Sequence, residues 1–145
     1  MGVVFYRAIV ACTSVGCHLN LKRIAQQSKN SEYNPKRFAP LIMRLRKPRA
    51  TGLIFASGKI VITGTRSERD CKLAKKIFGL KLCRLGYRAR PLNFEIQNIS
   101  ASCKLGFSVR LKDLATAKYA FALRYVYYLR FDDHRRPKVY TVCKR

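Results

Sequence analysis

The residue types able to do covalent or metal chemistry are few and scattered. Cysteines stand at positions 12, 17, 71, 83, 103 and 143, and histidines at 18 and 134. No two cysteines form a CxxC pair and only two histidines are present, so the spacing of a metal site is missing. Seven Asp and Glu and two isolated histidines in 145 residues show no activated-nucleophile spacing and leave no credible catalytic constellation. These positions predict no metal, no cofactor and no enzyme. Small thiols in a reducing compartment are the simpler reading of the cysteines. The chemistry on offer is instead that of charge. Thirty-one Lys and Arg oppose the seven acids, for a formal net charge of +24. Such a domain repels itself and gains from a polyanion, whose condensed counterions are released on binding. Nucleic acid is the expected partner class. DNA binding and binding of RNA of the ribosomal kind both fit this charge.

Length and composition agree with a folded intracellular protein. The apolar fraction is 48%, enough for a core, and the length suits one domain or two very small ones. No apolar run reaches the 18 residues of a membrane span, and Met1–Tyr6 is too short for a secretory signal. No membrane partner is expected.

The elements that must carry the charges come in two related copies. Residues 7–25, RAIVACTSVGCHLNLKRIA, align without a gap with residues 97–115, QNISASCKLGFSVRLKDLA, at a shift of 90. Ile9 meets Ile99, Ala11 meets Ala101, Gly16 meets Gly106 and Leu21 meets Leu111. A second echo, Arg46-Lys47-Pro48-Arg49 against Arg135-Arg136-Pro137-Lys138, follows at a shift of 89. The internal repeat divides the chain into 1–91 and 92–145, with the counterparts of residues 57–90 absent from the second copy.

Within the first copy, Val10–Val15 has strand composition and Leu19–Gln27 suits a short helix. Ser28–Pro35 reads as a polar turn, Phe38–Leu45 as a strand that tolerates Pro40 at an edge, and residues 47–49 as a turn. Leu53–Ala56 and Lys59–Thr63 read as a hairpin joined through Ser57-Gly58. Ser67 is the expected N-cap of a helix ending near Leu85, with Gly86 as the stop. Cys71, Ala74, Ile77, Phe78, Leu82 and Leu85 form its apolar stripe, leaving Lys72, Lys75, Lys76 and Arg84 largely wet. Alternation places Ile54, Ala56, Ile60 and Ile62 on one hairpin face and Leu53, Phe55, Val61 and Thr63 on the other. One helix covers one face only. The second apolar face, in so basic a protein, suits a ligand with an apolar floor and an anionic rim, as the minor groove of DNA has.

Glu32-Tyr33-Asn34-Pro35-Lys36-Arg37-Phe38-Ala39 resembles a signature of the TATA-box-binding protein family. So do Leu53-Ile54-Phe55-Ala56-Ser57-Gly58-Lys59-Ile60-Val61, then Thr63-Gly64 and Ser67-Glu68. Phe94-Glu95-Ile96-Gln97-Asn98-Ile99 and residues 107–115 resemble the opening of that family's second repeat. The resemblance runs well over residues 7–115 and poorly over the last thirty. It implies an α+β fold: a curved, saddle-like antiparallel sheet with helices on the convex face, the second pseudo-repeat incomplete. It also implies minor-groove binding of double-stranded DNA, transcription initiation and a nuclear location. Wedging of phenylalanines between base steps, with kinking of the duplex, is a property known of the family itself.

Carried over by position, Phe38 and Phe55 match a wedge pair. Val10, Leu53, Val61 and Thr63 match floor residues. Arg37, Arg44, Ser57 and Lys59 match positions near phosphates, and Gln97 and Asn98 match an amide pair at base edges. Departures accompany the match. Arg7-Ala8 replaces the first-repeat Gln-Asn pair, and Ser100 replaces an apolar floor residue. By the shift of 89, Tyr127 faces Phe38 and Lys144 faces Phe55, so a second wedge pair is not evident. A stretch that in the family engages factor IIB is absent. Contact with factor IIA through Lys72, Lys75, Lys76 and Arg84 is the expected protein interaction. An unpaired sheet edge would also admit a second copy of the chain. Two other readings stay open: a protein-interaction module that does not grip DNA, and an RNA binder stacking bases on Tyr119, Tyr125, Tyr127 and Tyr128.

Overall fold

A computed structural model describes the backbone of residues 4–103, 120–123, 126–133 and 136–142, and the side chains of residues 8–100. The first copy runs β1 (Val4–Ser14), α1 (Leu21–Gln27), β2 (Ser31–Asn34), β3 (Phe38–Leu45), β4 (Ala50–Ile54), β5 (Lys59–Thr65) and α2 (Glu68–Arg84). Then follow β6 (Leu92–Cys103), β7 (Ala120–Leu123), β8 (Val126–Asp133) and β9 (Arg136–Val142). The strands form one sheet in the order β2-β3-β4-β5-β1-β6-β9-β8-β7. The α+β class and the sheet with helices on one face are as expected.

Neighbouring strands are antiparallel except β6 and β9, which pair in parallel at Ser100–Val139 and Ala101–Tyr140. The repeat explains this. The Arg-Arg-Pro-Lys echo leads into β9 as its counterpart leads into β4. Both β4 and β1 are antiparallel to β5, so they run the same way. A counterpart of β4 seated directly beside β6 is therefore parallel to it. The described part of the C-terminal region thus extends the sheet sideways from β6.

Alternation along the strands sorts side chains by face. Ile9, Ala11, Leu41, Met43, Ile54, Ile60 and Ile62 are fully buried or nearly so, with Ile96 and Ile99 of β6 beside them. Cys71, Ala74, Phe78 and Leu82 from α2, and Leu21 and Ile24 from α1, pack on that same face. Each large aliphatic so buried contributes roughly 1.5–3 kcal/mol by removal from water. Ser67 caps α2 by accepting from Asp70 N at 3.0 Å, and Glu68 and Asp70 occupy its first turn. Gly86, at φ 89°, takes the left-handed position that ends the helix.

Several boundaries differ from the sequence reading. The polar segment 28–35 contains β2, whose Ser31 and Glu32 pair with Met43 and Ile42. Its composition is turn-like because an edge strand with one neighbour buries little. The strand expected at Leu53–Ala56 stops at Ile54, because Phe55 turns into the hairpin: its N–H donates to Lys59 O and its carbonyl accepts from Gly58 N, both at 2.9 Å. β1 begins at Val4 rather than Val10, because β6 is long enough to pair with residues 4–6 as well. The α1 helix starts at Leu21, with Asn20 as its cap.

Candidate nucleic-acid interface

The sheet face opposite the helices is built from pairs of named residues. Ile42 pairs with Leu53, Leu53 with Val61, Val61 with Cys12, and Cys12 with Glu95. This is one continuous row across five strands, and every member up to Cys12 is half-exposed rather than buried. A second row joins Arg44, Thr51 and Thr63. On the neighbouring pair of strands, Val10 faces Asn98. The predicted floor residues Val10, Leu53, Val61 and Thr63 are therefore on one face, as alternation required. Ile42, Thr51, Cys12 and Glu95 belong to it too and were not singled out from sequence. The period-two pattern of β1, Val10-x-Cys12-x-Ser14, was the signal for Cys12.

The two phenylalanines lie at one end of this face. Phe38 opens β3 and is 44% exposed, an unusual solvent share for so large an apolar ring. The β3–β4 ladder ends at Leu41 and Ile54, so Phe38 at the start of β3 and Phe55 just past β4 lie at the same end of these two strands. Phe55 is half-buried at the root of the β4–β5 turn. The turn is pinned from outside: Val15 N donates to Gly58 O at 2.9 Å and Leu19 N to Ala56 O at 2.8 Å. Gly58 has φ 87°, and a Cβ there would run into the Cys17 carbonyl. No residue but glycine fits, and Phe55, Ser57 and Lys59 are held in place as a result.

Cations surround the floor. Arg37, Arg44 and Lys59 are exposed, as is Ser57. Arg44 is not wholly free: its Nη1 lies 3.4 Å from Glu32 Oε2, both groups well exposed. So open a pair contributes little to stability. Gln97 is exposed and Asn98 half-buried. Asn98 Oδ1 is shielded and finds no hydrogen-bond partner among the described residues. A shielded amide oxygen without a partner is costly.

The cationic quartet on α2 divides. Lys72 pairs with Glu68 at 2.9 Å one turn earlier, and Lys75 Nζ sits 5.6 Å from the centroid of the Phe94 ring. Lys75 is thus half-buried rather than wet, while Lys76 and Arg84 are exposed. Leu73 and Leu80, 46% and 58% exposed, stand beside them on the outer side of the helix. Among the described residues no group of three or more His, Cys, Asp or Glu is placed to hold a metal. No helix among them is long and apolar enough to cross a membrane. Lys144, Tyr119 and Tyr125 lie outside the described residues, and only the strand backbone is described for Tyr127 and Tyr128.

Comparison with known proteins decides the family. The family described as "Transcription factor TFIID (or TATA-binding protein, TBP)" matches residues 6–85. The chain belongs to the TATA-binding protein family. It is 49% identical over 114 residues to the TATA-box-binding protein of Emericella nidulans, covering 79% of this chain and 42% of that protein. The TATA-box-binding protein of Saccharomyces cerevisiae is 48% identical over 114 residues, with 79% and 48% covered. TATA-box-binding protein 1 of Triticum aestivum is 50% identical, with 79% and 49% covered. The chain therefore spans about half the length, or less, of these relatives. Among solved structures, Methanococcus jannaschii TBP matches with a TM-score of 0.71 at 30% identity, covering 91% of this chain and 78% of that one. The family's saddle-like sheet is the fold described above.

Proposed function

We propose that this chain binds the minor groove of A·T-rich, TATA-like duplex DNA and serves transcription initiation in the nucleus. The observation that carries the proposal is the half-exposed apolar row Ile42-Leu53-Val61-Cys12, with the exposed Arg37, Arg44 and Lys59 on the same strands and turns and Phe38 and Phe55 at one end of β3 and β4. An apolar floor costs little against a minor groove that offers few polar contacts at A·T pairs. Phe38 and Phe55 act as wedges that replace lost base stacking, at steps that unstack at low cost. The cations hold the phosphates, and Ser57 donates from the turn. Gln97 and Asn98 meet base edges, which gives the Asn98 amide a partner. The relatives, TATA-box-binding proteins, support the same class of ligand.

The same reading divides the chain into repeats at 1–91 and 92–145. It assigns protein contacts to the outer side of α2, where Lys76 and Arg84 flank Leu73 and Leu80. A basal factor such as factor IIA is the partner proposed there, with Lys72 and Lys75 beside it. A second copy of the chain is the alternative occupant.

Binding of TATA-containing and scrambled duplexes across a salt series tests the reading. Preference for the TATA duplex that is lost in Phe38→Ala and Phe55→Ala is the expected result. Equal affinity for both duplexes, unaffected by the two substitutions, rejects the wedge mechanism.

A further inference from the structure

The apolar row on the open face ends in a carboxylate. Glu95 is paired across the β1–β6 ladder with Cys12, and Cys12 with Val61. Its neighbour Ile96 is buried on the helix side, so alternation sends Glu95 to the open side. There it is exposed and lines a hollow of about 390 Å³ with Cys12, Ser14, Ser57, Lys59 and Gln97. The other described acids are placed differently. Glu32 pairs with Arg44, Glu68 pairs with Lys72, and Asp70 sits in the first turn of α2. Glu95 has no cation within ion-pair distance among the described residues, although Lys59 shares its hollow. Glu32 shares this face, paired with Ile42 at the other end of the row, but its carboxylate is engaged by Arg44; Glu95 is the acid of the two with no ion-pair partner among the described residues.

A carboxylate is a hydrogen-bond acceptor only. The minor groove of A·T pairs presents acceptors only, adenine N3 and thymine O2. The exocyclic N2 amino group of guanine is the single donor that any base pair presents there. Glu95 closes the row at the β1–β6 junction, on the part of β6 that precedes its pairing with β9 at Ser100 and Ala101. Resting on the minor-groove reading above, we propose that Glu95 is a specificity-determining residue: it accepts from the guanine N2 amino group of one G·C pair lying beneath the β1–β6 junction. An otherwise A·T-preferring surface would thus carry one position at which guanine is favoured.

The test isolates that amino group. A single G·C pair is moved stepwise through an A·T-rich duplex, and each guanine is then replaced by inosine, which lacks only the N2 amine. Affinities are measured for the native chain, Glu95→Gln and Glu95→Ala, with thermal unfolding to establish that the exposed substitutions leave the fold intact. At one position the native chain should bind the guanine duplex about tenfold tighter than the inosine duplex, as befits a hydrogen bond to a charged group. Glu95→Ala should bring that ratio to one, and Glu95→Gln should give a reduced ratio. A guanine-to-inosine ratio near one at every position overturns the proposal. So does an equal gain in affinity for all duplexes in Glu95→Ala, which would make Glu95 a simple repellent of phosphate. Where A·T preference persists and responds to Phe55→Ala, a flat ratio defeats the Glu95 proposal alone. Where A·T preference is itself missing, the minor-groove reading fails and takes this proposal with it.

Discussion

The Phe78 ring of α2 rests on Gly52 of β4, so closely that a Cβ at Gly52 would stand 2.7 Å from Phe78 Cζ. The glycine leaves the recess into which the fully buried ring is set. Helix and sheet are locked at this point. Gly52→Ala must push the ring or shift the strand, and overpacking of this kind costs about 1–3 kcal/mol. Phe78→Ala empties the recess and costs about 3–5 kcal/mol. Because both changes act at one point of packing, the double variant Gly52→Ala/Phe78→Ala should be less destabilised than the sum of the two single variants. Denaturant unfolding of the four proteins measures the coupling, and strict additivity would show that the two residues do not share it.

Phe38 gives the opposite expectation. It is 44% exposed, so Phe38→Ala should change stability by less than about 1 kcal/mol. On DNA the same change should reduce bending, read as end-to-end energy transfer in a labelled duplex. A variant that bends the duplex as far as the native chain would remove Phe38 from the wedge.

The rim cations should appear in the salt dependence. Removing one cation from its phosphate lowers the slope of log affinity against log salt by about 1. Lys59→Ala and Arg37→Ala are expected to do so for TATA and scrambled duplexes alike, since a cation on a phosphate carries little sequence information. Arg44 begins from a bridge to Glu32. Glu32→Gln therefore should strengthen binding modestly at low salt, and this gain should vanish in Arg44→Ala. Persistence of the gain without Arg44 would rule out the bridge as its source.

The cap of α2 is a local test of the fold. Ser67→Ala removes the oxygen that accepts from Asp70 N and should cost about 0.5–2 kcal/mol. Ser67→Asp keeps an acceptor at a helix N-terminus and should recover most of it. Thermal unfolding that shows no difference between the alanine and aspartate variants would discount the cap.

Burial holds the Cys71 thiol above its usual value near 9, an effect that the nearby Glu68 reinforces and the neighbouring Thr65 side chain opposes. The folded state therefore keeps this proton to a higher pH than the unfolded chain does. Its contribution to stability is full below about pH 9 and is lost as the pH rises further. Cys71→Ala should show a shallower alkaline loss than the native chain. In the native fold, Cys71 should also be alkylated much more slowly than the exposed Cys83. Equal labelling of the two would show that the core around Cys71 opens freely.

Much of the candidate interface was legible because strands write their geometry into the sequence. Leu53, Val61 and Thr63 fall on one face by a period of two, and the apolar character of both hairpin faces announced a surface that a single helix leaves bare. The α2 stripe was legible for the same reason at a period of 3.6, and Ser67 and Gly86 marked its ends through their own backbone chemistry. What was misread lay where neighbours overrule composition. Segment 31–34 is polar yet becomes a strand because β3 offers it an edge. Phe55 looks like strand and turns instead, because the hairpin takes its backbone bonds.

The amino-acid sequence by itself determined the repeat, the positive charge, the class of fold and the family, since these rest on residue identity and local periodicity. Cross-strand register was beyond its reach, because hydrogen bonds between distant segments fix which residues stand opposite one another. Only the folded sheet could put Cys12 between Val61 and Glu95, lay Phe78 on Gly52, tie Lys75 to Phe94, and seat β9 against β6 in parallel.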